Sequence, residues 1–209
     1  MKICMNRLAQ AVCRSKNSTA AFTLVETMFA SVIGILVLGM VMILYVGVQH
    51  SMTVGVALAE INADARLAMD RIVRDARWAT QLETSRTLNG TTYITGNNQF
   101  VIKIPSINSS GDIIANTYDY VIYALDPSDL TQLKKIIDPN ASSSRTSLNQ
   151  VIAKNINSFS LSSAGIGLSS IGSLSSVKAV EVAISVNKQP LVGRTITQSL
   201  ASEVEIRND

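Results

Sequence analysis

The chain has 209 residues, 47% hydrophobic and 16% charged, which leaves room for one membrane segment and one modest domain. Its formal charge of +3 comes from the N-terminus: Lys2, Arg7, Arg14 and Lys16 precede any acid, and residues 22–209 hold 14 basic against 15 acidic groups, a net of −1. That balance excludes a general nucleic-acid-binding surface. Cys4 and Cys13 are the only cysteines, so residues 22–209 have no disulfide, zinc thiolate site or thiol nucleophile.

Residues 1–21 form a basic leader, with Met5 a second candidate start. From Phe22 to Val48 Glu26 is the only charged residue, and the 22 residues 27–48 carry none. Those 22 residues make about 33 Å of helix, enough to cross the hydrocarbon of a bilayer. The upstream basic groups keep the N-terminus cytoplasmic by the positive-inside rule. Glu26 is then an acid beside or within lipid, where an unpaired carboxylate is costly and marks a functional residue by default. The plainer explanation is an acid in the first turn of a helix, favoured by the macrodipole.

A small residue followed by Phe22-Thr23-Leu24-Val25-Glu26 and an apolar helix, all behind a short basic leader, resembles the type IV pilin-like family. The resemblance implies that prepilin peptidase cleaves between Ala21 and Phe22 on the cytoplasmic side and N-methylates Phe22. It also implies that Glu26, then the fifth mature residue, pairs with the Phe22 amine of a neighbouring subunit during fibre assembly. Such pairing would relieve both desolvation costs at once. An i,i+4 contact within one helix is the geometric alternative. The family prefers Gly before the cut, where this chain has Ala21. Many pilins staple a C-terminal loop with a disulfide, which residues 22–209 cannot form.

Beyond His50, apolar or small residues recur at Val54, Leu58, Ile61, Ala65, Ala68, Ile72 and Ala76, a helical stripe. The other faces carry Glu60, Asp64, Arg66, Asp70, Arg71, Arg74, Asp75 and Arg77, with Asp70 and Arg74 spaced as a favourable i,i+4 pair. No proline falls between Phe22 and Thr80, so one helix of nearly 60 residues is expected. Gly34 and Gly39 are the candidates for local unwinding in an assembled fibre, or ordinary small residues of a membrane helix.

After Thr80 the period becomes two. Phe100, Ile102 and Ile104 alternate with Val101 and Lys103. Tyr118, Tyr120 and Ile122 alternate with Asp119, Val121 and Tyr123. Val180, Val182, Ile184 and Val186 give the clearest case, and Val204 and Ile206 close the chain. Asn89-Gly90, Asp126-Pro127 and Asp138-Pro139 mark turns. An antiparallel sheet of six to eight strands is expected, half-buried against the helix. Residues 140–147 and the Ser/Gly-rich 162–176 are expected to be loops.

Chemistry-bearing constellations are scarce. His50 falls at the membrane boundary, and Gly165-Ile166-Gly167 lacks the third glycine of a dinucleotide loop. Asp126, Asp129 and Asp138 suit turns and caps, with a calcium site as the alternative. Arg74, Arg77 and Arg86 are offset by Asp70, Asp75 and Glu83, and Trp78 is expected to pack where the helix leaves the sheet.

The sequence therefore predicts an α+β chain: a leader at 1–21, a transmembrane and assembly helix at 22–48, its amphipathic continuation at 49–80, and an antiparallel β-rich head at 81–209, a pilin-like fold. The resemblance implies a structural subunit, of the minor kind, of a type IV pilus or type II secretion pseudopilus. Arg74-Asp75-Ala76-Arg77 and the closing Val204–Asn208 resemble the W-type minor pilins and J-type pseudopilins. The implied partners are other subunits, prepilin peptidase, an inner-membrane assembly platform and membrane lipid, with the head in the periplasm. No enzyme activity, cofactor, metal or nucleic acid is expected. The alternatives are a membrane-anchored periplasmic binding module that does not assemble, and a secreted protein cut before Glu60 at Ala57-Leu58-Ala59.

Overall fold

The structure is a computed structural model, and it describes residues 23–190 and 195–207. Among the described residues one α-helix, α1 (Leu24–Arg77), precedes eleven strands, and the chain divides into two compact units with the boundary between Val48 and Gln49.

In the first unit every described residue is exposed, including Leu24, Phe29, Ile43 and Tyr45. This part of α1 is long and apolar enough to cross a membrane. The helix runs unbroken through Gly34 and Gly39, where an added Cβ would meet nothing within 4 Å.

The second unit is built around the rest of α1. Ala57, Ile61, Ala65, Ala68, Met69, Ile72 and Ala76 are buried, so the helical stripe runs as expected from Ile61 onward. At its start the buried residue is Ala57, and Leu58 is 39% exposed. The four alanines let the sheets approach α1 closely. Ile61 and Ile72 supply bulk, each adding about 2–3 kcal/mol by burial. The Asp70–Arg74 ion pair does not form.

The strands form not one sheet of six to eight but three antiparallel sheets. The first has the order β1 (Gln81–Glu83), β4 (Gln99–Ile107), β5 (Ile113–Asp126), β6 (Asp129–Asp138), β7 (Leu148–Ala153). The second has the order β11 (Ile196–Glu205), β10 (Ala179–Lys188), β8 (Ile156–Ser163), β9 (Ile166–Gly167). A hairpin of β2 (Ser85–Leu88) and β3 (Thr91–Ile94) is the third, turning at Asn89-Gly90, where both residues take positive φ.

Residues from α1 and both larger sheets share one core, among them Ile72, Phe100, Tyr123, Phe159, Val182 and Ile184. Phe100 and Tyr123 stack with ring centroids 5.3 Å apart. The first sheet is buried on both faces. Val101, Ile122, Ala124 and Ile136 form a second cluster, against which Leu88 and Tyr93 of the hairpin pack. Strict half-burial therefore fails for β4 and β5, because the hairpin covers the face that the alternation assigned to solvent.

Residues 162–176 are also more structured than expected. They hold β9 and 3-10 turns at Leu168–Ser170 and Leu174–Ser176, and Leu168 and Leu174 are buried in the main core. The isolated leucines are plugs that fasten a polar segment. Trp78, by contrast, is 61% exposed rather than packed. At about 100° per residue it falls some 200° from Ala76, on the outward side of the last turn.

Candidate functional site

The described part of the leading motif begins at Thr23; Ala21 and Phe22, the expected cleavage and methylation positions, lie outside the described residues. Thr23 caps α1: its hydroxyl oxygen accepts the Glu26 N–H at 3.3 Å, and its carbonyl accepts the N–H groups of Glu26 and Thr27 at 3.0 and 3.2 Å. Thr23 and Glu26 thus occupy the Ncap and N3 positions of a T-x-x-E capping pattern. That pattern was available in the sequence and gives Glu26 a local role beside any assembly role. The Glu26 carboxylate has no ion-pair partner among the described residues, and its side chain is exposed. It is the only acid in the first turn. Helix geometry carries it on a rigid apolar rod, at the end where the dipole favours negative charge.

In the second unit two polar clasps hold the scaffold. At the first, the Tyr123 hydroxyl donates to Asp75 Oδ2 at 2.5 Å, with the Arg71 carbonyl a more distant acceptor at 3.3 Å, and Lys135 pairs with the same Asp75 oxygen at 2.5 Å. Burial and the adjacent Asp75 carboxylate push the Tyr123 phenol far above its ordinary range, so it stays a donor.

The second clasp, centred on Asp119, was missed in the sequence. Asp119 is fully buried. Its Oδ1 accepts the Ser106 hydroxyl at 2.7 Å and the Asn140 N–H at 2.8 Å. Its Oδ2 accepts the Ser143 hydroxyl at 2.7 Å and Arg145 Nη1 at 2.5 Å. Burial alone would raise this carboxyl, but the bonds from Asn140, Ser106, Ser143 and Arg145 outweigh it and hold the group below the ordinary carboxylate range. The 140–147 segment is therefore tied down at three points without a disulfide.

The other sequence-marked acids do separate jobs. Asp126 pairs with Lys134 at 2.6 Å and accepts the Ser128 N–H, and both bonds lower its pKa. Asp129 accepts the Thr131 hydroxyl and N–H, which lower it likewise. Asp138 pairs with Arg86 at 2.7 Å, and the Arg86 guanidinium lies 4.1 Å from the Tyr120 ring centre. Among the described residues no three His, Cys, Asp or Glu side chains converge as a metal site would require. His50 is an exposed helix residue.

No family model matches this chain, and no curated protein matches it at a significant level.

Proposed function

We propose that the chain is a structural subunit, of the minor class, of a type IV pilus or type II secretion pseudopilus, with a pilin-like fold. The observation that carries this reading is Glu26: a lone acid in the first turn of an exposed apolar helix, following Phe22 and a basic leader. An unpaired carboxylate there calls for a cation, and the economical one is the amine created by cleavage after Ala21. Prepilin peptidase is then the processing partner, the inner membrane the site of insertion, and the assembly platform and neighbouring subunits the later partners. The head that would be carried on this helix is an antiparallel β domain with a core shared between α1 and two sheets.

Secretion by cleavage before Glu60 fits the fold less well. Ala57 is buried, and Glu60 lies inside the packed part of α1, paired with Lys188 of β10. A cut there would sever a helix that the domain uses.

The deciding experiment is the N-terminal residue of the mature protein from cells that contain the peptidase. Methylated Phe22 is expected; Met1 or Glu60 would overturn the proposal.

A further inference from the structure

The second sheet leaves one of its two longest strands open on one side. In that sheet β11 pairs with β10 and, among the described residues, with nothing beyond it. The register from Ala179↔Glu205 to Lys188↔Ile196 is unbroken, and the Ile206 N–H bonds the Lys178 carbonyl in the same frame. Bonded pairs alternate along an antiparallel ladder, so Ile196, Gln198, Leu200, Ser202 and Val204 turn their backbone groups toward β10. Thr197, Ser199, Ala201, Glu203 and Glu205 turn theirs outward. All five are exposed, and among the described residues this row meets one weak contact, the Gln198 side-chain amide 3.4 Å from the Ser199 carbonyl.

Edge strands usually carry a device that stops other chains from pairing with them, such as shortness, lysine, proline or a bulge. The remaining edges of the head have one. β1 spans three residues, β9 two and each hairpin strand four, and a register shift interrupts the pairing of β7. β11 spans ten residues with no proline, lysine, arginine or bulge.

Space beside this edge is open. A groove of about 610 Å³ is lined by Arg77 and residues 203–207. Consecutive residues of a strand alternate between its faces, so a groove that touches all of them runs along the edge. Arg77 and Arg207 offset Glu203 and Glu205 there, so charge does not select the occupant. The backbone row does, because alternating donors and acceptors at strand spacing are matched by another extended backbone. The flanking side chains add detail: Ile196 and Leu200 are only half-buried on the core side, while Thr197, Ser199 and Ala201 keep the outer side low.

A second copy does not suit this edge. Lys188, the partner of Ile196, pairs with Glu60, and residues 203–207 reach Arg77, so β11 runs in the same direction as α1. Joining two identical edges in one antiparallel ladder would oppose the two helices, whereas copies anchored in one membrane hold them parallel.

We propose that the open edge of β11 takes up an extended segment of a different protein as an added strand. Apolar side chains at alternate positions of that segment cover Ile196 and Leu200, and polar ones face outward. The inference uses the membrane helix only to set aside a second copy, and it needs no cut after Ala21.

The test uses the full chain in detergent and, as probe, a fluorescent peptide of alternating Val and Thr with lysines at both ends. Saturable binding is expected, weakened roughly tenfold when every amide nitrogen of the peptide is methylated; equal binding by the methylated form would overturn the inference. Ala201→Pro deletes one outward N–H and leaves the bonds to β10 in place. It should weaken peptide binding roughly tenfold without moving the melting midpoint, and parent-like binding would overturn the inference. Should that variant fail to fold, amide exchange in the unaltered chain decides. The peptide should slow Thr197, Ser199 and Ala201 roughly tenfold and leave Leu200 and Ser202 unchanged; uniform slowing, or none, would overturn the inference. So would a dimer that Ala201→Pro dissolves, because a second copy would then be the occupant. A chain that begins at methylated Phe22 but fails these arms keeps the proposed function and loses the added strand.

Discussion

The hydroxyl of Tyr123 reaches the carboxylate of Asp75 at 2.5 Å, tying the last turns of α1 to the C-terminal part of β5 across 48 residues of sequence. The tyrosine ring is fully buried and stacked on Phe100, while Asp75 is partly buried, so the bond is made at the margin of the core. Tyr123→Phe keeps the ring and removes the donor. It should cost about 1–2 kcal/mol in denaturant unfolding with little change in m-value. An unaltered midpoint would show that Lys135 alone satisfies Asp75.

Asp119 should make the head domain acid-sensitive. Its carboxyl titrates lower in the folded chain than in the unfolded one, where the ordinary value is about 3.9. The stabilisation is therefore fully present above the unfolded value and is lost as pH falls through the folded one. Asp126 and Asp129 add in the same direction. Thermal melts between pH 7 and pH 2 should show stability falling below about pH 4. Asp119→Asn should cost about 3 kcal/mol at neutral pH by stranding Arg145, and should flatten the acid limb. A variant with an acid limb as steep as the parent's would assign the sensitivity elsewhere.

Gly167 and Asn97 should be coupled. A Cβ at Gly167 would sit 2.5 Å from Asn97 Oδ1, which accepts both the N–H and the hydroxyl of Ser169. Gly167→Ala must displace that side chain and should cost about 1–2 kcal/mol. In the Asn97→Ala background the same change should cost markedly less. Additive losses in the double-mutant cycle would contradict the assignment.

Glu26→Gln should leave membrane insertion intact and reduce incorporation into fibres, because the apolar span is untouched and only the anion is lost. Fractionation measures the first and subunit content of sheared fibres the second; normal incorporation would remove the pairing argument. Thr23→Ala is the control for the cap. It should loosen the first turn by about 1 kcal/mol while retaining the charge. Under the proposed cleavage after Ala21, Ala21→Gly should raise the fraction of shortened chain seen on pulse-chase blots.

What could be read ahead of the structure follows physical range. The apolar span, Glu26 and the buried stripe of α1 declared themselves because helix periodicity and charge placement are local. Two-sided burial of the first sheet depends on a hairpin that folds back over it. Its sequence trace is the unbroken apolar run Val121–Leu125, which strict alternation does not explain. Asp119 shares strand parity with Val121 and Tyr123, so its burial was inferable. Its partners Asn140, Ser143 and Arg145 lie more than 20 residues away and carry no local signature. Trp78 departs from expectation because two further steps beyond Ala76 turn a core position into an outward one.

The β2–β3 hairpin has a consequence for how the domain opens. It is held by four short-range strand pairs, the small cluster under Leu88 and Tyr93, and the Arg86 clamp on Asp138. Its release would leave the shared core intact. Amide protons on Arg86 and Tyr93 should then exchange with solvent through a shallow local opening, while those of β5 exchange only when the whole domain unfolds. The covering of the first sheet is in that sense a separately melting layer, and its exchange rate reports on Arg86 rather than on the core beneath.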